Sequence, residues 1–221
     1  MRIRLQKAID KLNGRLVDLA ALVEKRFHLA VKAVECRDVK LAHQVIDGDV
    51  EIDQQEVDIE EECLKILALH QPVADQLRYI VAVLKMNNDL ERIGDLAVNI
   101  AQTVEEVAKH HDIQIPFDYF SMAQQAQEML DKSLEALVSK DLNLAFQVCA
   151  QDDDVDTMKE AMQDLFAKEI CKKPDQTDVL IKLFLVSRHL ERIADHTTNI
   201  AEDVIYMISG VIHRHRKNEF Q

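Results

Sequence analysis

Leu90-Glu91-Arg92-Ile93-Gly94-Asp95-Leu96-Ala97-Val98-Asn99-Ile100-Ala101 returns one hundred residues later as Leu190-Glu191-Arg192-Ile193-Ala194-Asp195-His196-Thr197-Thr198-Asn199-Ile200-Ala201, with eight of the twelve positions identical. An echo this long in a 221-residue chain reads as one structural unit built twice. Each copy carries two carboxylates four residues apart, Glu91 with Asp95 and Glu191 with Asp195. On a helix that spacing stacks them on one face, where two oxygen ligands can reach one cation.

The rest of the chain supports the helix. Gly numbers 4, Pro 3 and Trp 0, so breakers are scarce and an all-α fold follows. Apolar periodicity marks six amphipathic helices. The first runs from about Leu5 to Cys36. The second is capped by Asp38 and reaches about His70, and the third covers Asp75 to His110. The fourth spans Tyr119 to Ser139, and the fifth is capped by Asp141 and ends near Lys172. The sixth is opened by Asp175 or Asp178 and ends near Gly210. The triplets match: Asp38 with Asp141, Asp49 with Asp152, Asp53 with Asp156, Pro72 with Pro174. Short connections make neighbouring helices antiparallel. Each triplet therefore closes into a three-helix bundle, residues 1–111 and 119–221, with residues 112–118 as linker. A pseudo-twofold relation and simple stacking of the bundles both remain open.

The net charge of −13 excludes a phosphate-backbone binder, and hence nucleic acid. Cys36, Cys63, Cys149 and Cys171 form no C-x-x-C pair, and we read all four as buried small apolar residues in a reducing compartment. The charged start Met1-Arg2-Ile3-Arg4 leads into no long apolar core, unlike a secretory signal. The apolar run at Ile80–Leu84 is too short to span a bilayer. A cytoplasmic location is expected.

Acids interrupt the apolar stripe of the second helix. Val45, Ile52, Ile59, Cys63 and Ile66 form the stripe; Asp49 and Glu56 fall on it, with Asp53 beside it. The fifth helix repeats this with Asp152 and Asp156. Lys159 replaces Glu56 there, which ranks Glu56 below the other acids. Glu91 and Asp95 lie almost opposite the seam Leu90–Ile93–Ala97–Ile100–Val104, at about 100° per residue, as on a solvated acidic face; Leu77, Ile80 and Leu84 share that sector, so the face is partly covered and the sites are expected to be shallow and open. Folding the hairpin at Pro72 puts Asp53 and Glu91 each 19 residues from the turn, and Asp49 and Asp95 each 23. Around Pro174 the distances are 18 and 22 for Asp156 and Asp152, against 17 and 21 for Glu191 and Asp195. Four carboxylates thus reach one height in each bundle. Such a cluster repels itself unless cations balance it. All-oxygen donors suit hard or borderline metals.

At these residues the chain resembles the PhoU family, whose members carry repeated E(D)xxxD motifs on two tandem three-helix bundles. The motif stands here as Glu91-x-x-x-Asp95 and Glu191-x-x-x-Asp195, facing Asp49-x-x-x-Asp53 and Asp152-x-x-x-Asp156. The resemblance covers the whole chain. It implies a multinuclear metal cluster on each acidic face, often iron, with Mn, Mg, Zn or Ni as other candidates. It also implies a non-catalytic, negative regulator of phosphate uptake and the starvation response. Such a regulator works at the membrane through partners, the phosphate ABC transporter ATPase and a sensor histidine kinase, in some cases as a homodimer. His196, Thr197 and Thr198 replace Leu96, Ala97 and Val98, so the second site need not equal the first.

Two rival readings stand beside this one. A ferritin-like di-iron enzyme uses Glu-x-x-His, and none of the nine histidines has Glu three residues before it. No H-E-x-x-H motif, Gly-rich phosphate loop or paired nucleophile and base is present either. The other rival is a metal-free helical adaptor whose acids serve solubility. His110-His111 and the basic run His213-Arg214-His215-Arg216-Lys217 read as helix ends whose charge complements the dipole.

Overall fold

The computed structural model describes residues 2–110, 113 and 118–212. Among these the only regular structure is helical: α1 (Arg2–Cys36), α2 (Val39–Asp47), α3 (Asp49–His70), α4 (Asp75–Lys109), α5 (Tyr119–Ser139), α6 (Leu142–Lys172) and α7 (Thr177–Ser209). The expected second helix is broken at one residue, Gly48. Its dihedrals stay right-handed helical (φ −82°, ψ −7°), so α2 and α3 continue as one rod and the fold keeps six rods. The reason for the glycine is Arg26 of α1. A Cβ at Gly48 would stand 2.1 Å from the guanidinium carbon, so the arginine lies directly on bare backbone.

The connectors repeat as faithfully as the helices. Arg37 and Lys140 take left-handed φ of 52° and 56°. The next residue, Asp38 or Asp141, donates its N–H back to Ala33 or Ala136. Each Asp then caps the following helix: Asp38 accepts from the N–H of Lys40 and Leu41, Asp141 from Asn143 and Leu144. A left-handed stop followed by an Asp start satisfies orphaned backbone groups on both sides of the turn. The sixth rod begins differently from expectation. Asp175 lies in a short 3-10 turn, Pro174–Gln176, and Asp178 in the first turn of α7, so neither caps it by side chain.

The core is continuous through both halves, and large side chains such as Phe27, Ile80, Met86, Leu90 and Ile100 are fully buried. The most extensive helix pair is α4 with α7, the third rod of each half. Lys85 Nζ lies 3.0 Å from Asp203 Oδ1 and 5.1 Å from the Tyr206 ring centre. Asp89 Oδ1 lies 2.8 Å from His196 Nδ1 and accepts from Asn199 Nδ2 at 3.3 Å. Contacts thus advance along α4 as they retreat along α7. The rods are antiparallel, which is what a pseudo-twofold relation between the halves generates, and stacking is excluded.

The cysteines correct one expectation. Cys63 is buried and Cys149 partly so, but Cys36 and Cys171 are exposed. They sit in the last turns of α1 and α6, where helical periodicity no longer assigns a face. Most of the proposed linker, His111 and the run from His213 lie outside the described residues. Among the described residues, no helix is long and apolar enough to cross a membrane.

Candidate metal centre

In the first half, α3 and α4 run antiparallel from the turn at Pro72, and the expected four acids come within electrostatic reach of one another. Burial raises the Asp49 carboxyl to about 6, helped by Asp53 on its own helix and Asp95 across the hairpin, against Arg26. Glu91 is also raised, first by burial, then by Asp95, with Glu56 and Asp53 adding to it against Arg92. The hairpin register counted from the proline therefore holds. Close approach has a local cause in Gly94. A methyl there would lie 3.1 Å from Ile52 Cδ1 and 3.7 Å from Asp49 Oδ1, so the bare backbone of α4 makes a cradle for the α3 stripe.

Glu56, ranked low from the sequence, belongs to this cluster. Its carboxyl is raised by burial, then by Glu60 and Asp53. Asn87, buried on α4, donates to Glu56 Oε1 at 3.2 Å and to its carbonyl at 2.9 Å. The spacing Asn87–Glu91–Asp95 was the available signal: an amide one turn before the acids on the same helical face. Arg92 pairs with Asp95 at 2.9 Å and Glu91 at 3.4 Å from the solvent side.

The second half assembles the equivalent set. Burial raises Asp195 to about 6, with Glu191, Asp152 and Asp156 acting in the same direction and His196 opposing them. Asp195 keeps an exposed edge, whereas Asp152 is buried and accepts from Thr198 Oγ1 at 3.2 Å. Here the lysine at the Glu56 position intervenes. Lys159 Nζ stands 2.6 Å from Glu191 Oε1 and 3.7 Å from Asp156 Oδ1.

The donor chemistry of the first half fits a hard cation: all-carboxylate oxygen, beside a cradle that a side chain would fill. Among the described residues, no three His, Cys, Asp or Glu side chains yet converge to hold an ion. Convergence needs rotamer changes, which the solvent-facing Asp53 and the 40 % exposed Asp95 permit.

The family model described as PhoU domain matches twice, at residues 16–104 and 120–204. The chain belongs to the PhoU family. Among PhoU relatives, a phosphate-specific transport system accessory protein PhoU homolog of Clostridium acetobutylicum is 33% identical over 205 residues, 91% of this chain and 93% of that protein. The Pseudomonas aeruginosa PhoU homolog is 36% identical over 211 residues, 94% of this chain and 86% of its own. The crystal structure of PhoU from Pseudomonas aeruginosa superposes with a TM-score of 0.89 at 33% identity, covering 93% of this chain and 99% of that one. The phosphate transport system regulatory protein PhoU from Streptococcus pneumoniae superposes with a TM-score of 0.84 at 26% identity, covering 94% and 98%.

Proposed function

We propose that the chain is a non-catalytic regulator of phosphate uptake and phosphate-starvation signalling, and that it works by binding metal on its acidic faces and docking on partner proteins. One observation carries the metal part of the reading: Asp49, Asp53, Glu91 and Asp95 gather at one height in the first half, and Asp152, Asp156, Glu191 and Asp195 do so in the second. The transport part rests on membership of a family whose relatives are described as phosphate-specific transport accessory proteins.

Mechanistically, a bound multinuclear cluster, with iron as first candidate, would supply the positive charge that the carboxylates lack. The chain's residues then do the rest. Asp49 and Glu91 hold donors on facing helices, Gly94 sets the separation, and Arg92 balances the rim. Asp49 and Asp53 on α3 and Glu91 and Asp95 on α4 would hold the cluster, and relief of their mutual repulsion would leave the helix pair as one rigid surface. Its partners in this reading are the cytoplasmic ATPase subunit of the phosphate ABC transporter and a sensor histidine kinase, with a homodimer as a further assembly.

Deletion of the gene in its host should derepress phosphate uptake and starvation genes in phosphate-rich medium; unchanged expression and uptake would refute the regulatory reading. Purified protein should carry Fe, Mn, Zn or Ni that is lost in Glu91→Gln/Asp95→Asn. Protein free of metal and insensitive to metal addition would instead establish the metal-free adaptor.

A further inference from the structure

The two acidic sites differ in charge at one position. Counting outward from the matched pair Asp49 and Asp152, Glu56 and Lys159 occupy the same place on the second rod of their halves. Glu56 makes the first site a set of five acids. Lys159 makes the second a set of four acids with an ammonium among them. Both sites also have an arginine midway along the third rod, Arg92 or Arg192, so the arginines do not distinguish them.

Lys159 and Arg92 act differently. Arg92 touches Glu91 and Asp95, both on its own helix, and its side chain is 52 % exposed. Lys159 is 27 % exposed and reaches across the hairpin, bridging Asp156 on α6 and Glu191 on α7. That is the connection a metal would make between the facing helices. An ammonium at 2.6 Å from a carboxylate forms a strong charge-assisted contact in this partly desolvated setting. A cation entering the second site must displace it or endure its repulsion. The cradle differs as well, because Ala194 puts a methyl where Gly94 leaves backbone bare.

We propose that Lys159 is a covalently tethered counter-ion that occupies the place of a metal in the second half, so that this chain loads metal at its first site alone. The inference rests on the metal-binding reading above. It makes the halves functionally unlike: one responds to a diffusible cation, and the other is permanently closed.

The test uses the full-length chain, stripped with chelator and dialysed against Mn2+ at neutral pH, with bound metal counted per chain and folding checked by circular dichroism. The wild type should load one site. Lys159→Glu should double the bound metal, and Glu56→Lys should abolish it. A milder variant, Lys159→Gln, should lower the melting temperature in chelator and recover it on Mn2+ addition, a rescue that a purely structural lysine would not show. Metal divided equally between the two halves of the wild type overturns the inference while leaving the metal-binding reading intact. So does an unchanged count in Lys159→Glu when the first site is loaded. Absence of metal from the wild type and from every variant overturns both.

Discussion

Gly94 and Ile52 offer a quantitative test of how the first site is built. A methyl at Gly94 would approach Ile52 Cδ1 to 3.1 Å and Cγ2 to 3.3 Å, inside the about 3.5–4.0 Å of relaxed carbon contacts. In the second half the matching residues are Ala194 and Val155: the methyl is present and the opposing side chain is one carbon smaller. Both are buried, as are Ile52 and Gly94. Replacing helical glycine with alanine stabilises by about 1 kcal/mol through backbone entropy. Overpacking a filled interior costs about 1–3 kcal/mol. Gly94→Ala alone should therefore range from neutral to about 2 kcal/mol destabilising. Ile52→Val alone should cost about 0.5–1.5 kcal/mol. Together they remove the nearer clash and recreate the second half's pairing, so the double variant should be more stable than the sum predicts by about 1 kcal/mol. Urea unfolding of all four proteins in chelator measures this coupling, and about 1 kcal/mol corresponds to roughly 2–4 °C in a chain of this size. Additivity within about 0.4 kcal/mol would refute the reasoning, because no packing conflict would then exist to be relieved.

Other predictions concern charge and capping. Asp49 and Asp195 bind protons more tightly folded than unfolded, with carboxyls raised to about 6 from an ordinary 3.8. Their contribution to stability is full below pH 3.8 and is lost as pH rises through 6. In chelator, the advantage in melting temperature of Asp49→Asn/Asp195→Asn over wild type should thus grow as pH rises from about 4 to about 6.5; a pH-independent difference would contradict this. Lys85→Met removes the ammonium facing Asp203, whose side chain is only 2 % exposed, and should destabilise by on the order of 3 kcal/mol in denaturant titration. A loss below about 0.5 kcal/mol would show that the bridge is dispensable. Asp38→Ala and Asp141→Ala should each cost about 1 kcal/mol, because each removes a side-chain acceptor for two helix N–H groups. Equal melting curves for these variants and wild type would discount the caps.

The hairpin register was readable because helices are nearly straight rods of fixed rise and Pro72 marks the turn. Counting residues either side of it sets Asp49 against Asp95. The break at Gly48 was not readable. It depends on Arg26, distant in sequence, lying across that backbone. Likewise, a substitution table shows Lys159 only as a missing acid. Its role as a bridging cation requires knowing that its ammonium reaches Glu191. The exposed Cys36 and Cys171 failed as core residues because a 3.6-residue period loses meaning in a helix's last turn. Contacts between the halves, such as Asp89 with His196, leave no trace in the period of either helix.

The antiparallel α4–α7 seam has a consequence for assembly. Two identical separate chains meeting through such a face would make every contact twice, and any change would appear on both sides. Fusion into one polypeptide lifts that obligation. Asp89 meets His196 and Asn199 on one side of the axis, but the mirror positions of Asp89 and Asn199 are His189 and Asn99, and His189 Nδ1 is buried without a hydrogen bond among the described residues. The axis relates the backbones but not the chemistry. The molecule consequently has polarity: its two ends can be told apart by anything that binds across the seam, and a receptor with a single binding surface can accept it in one orientation and reject the reverse.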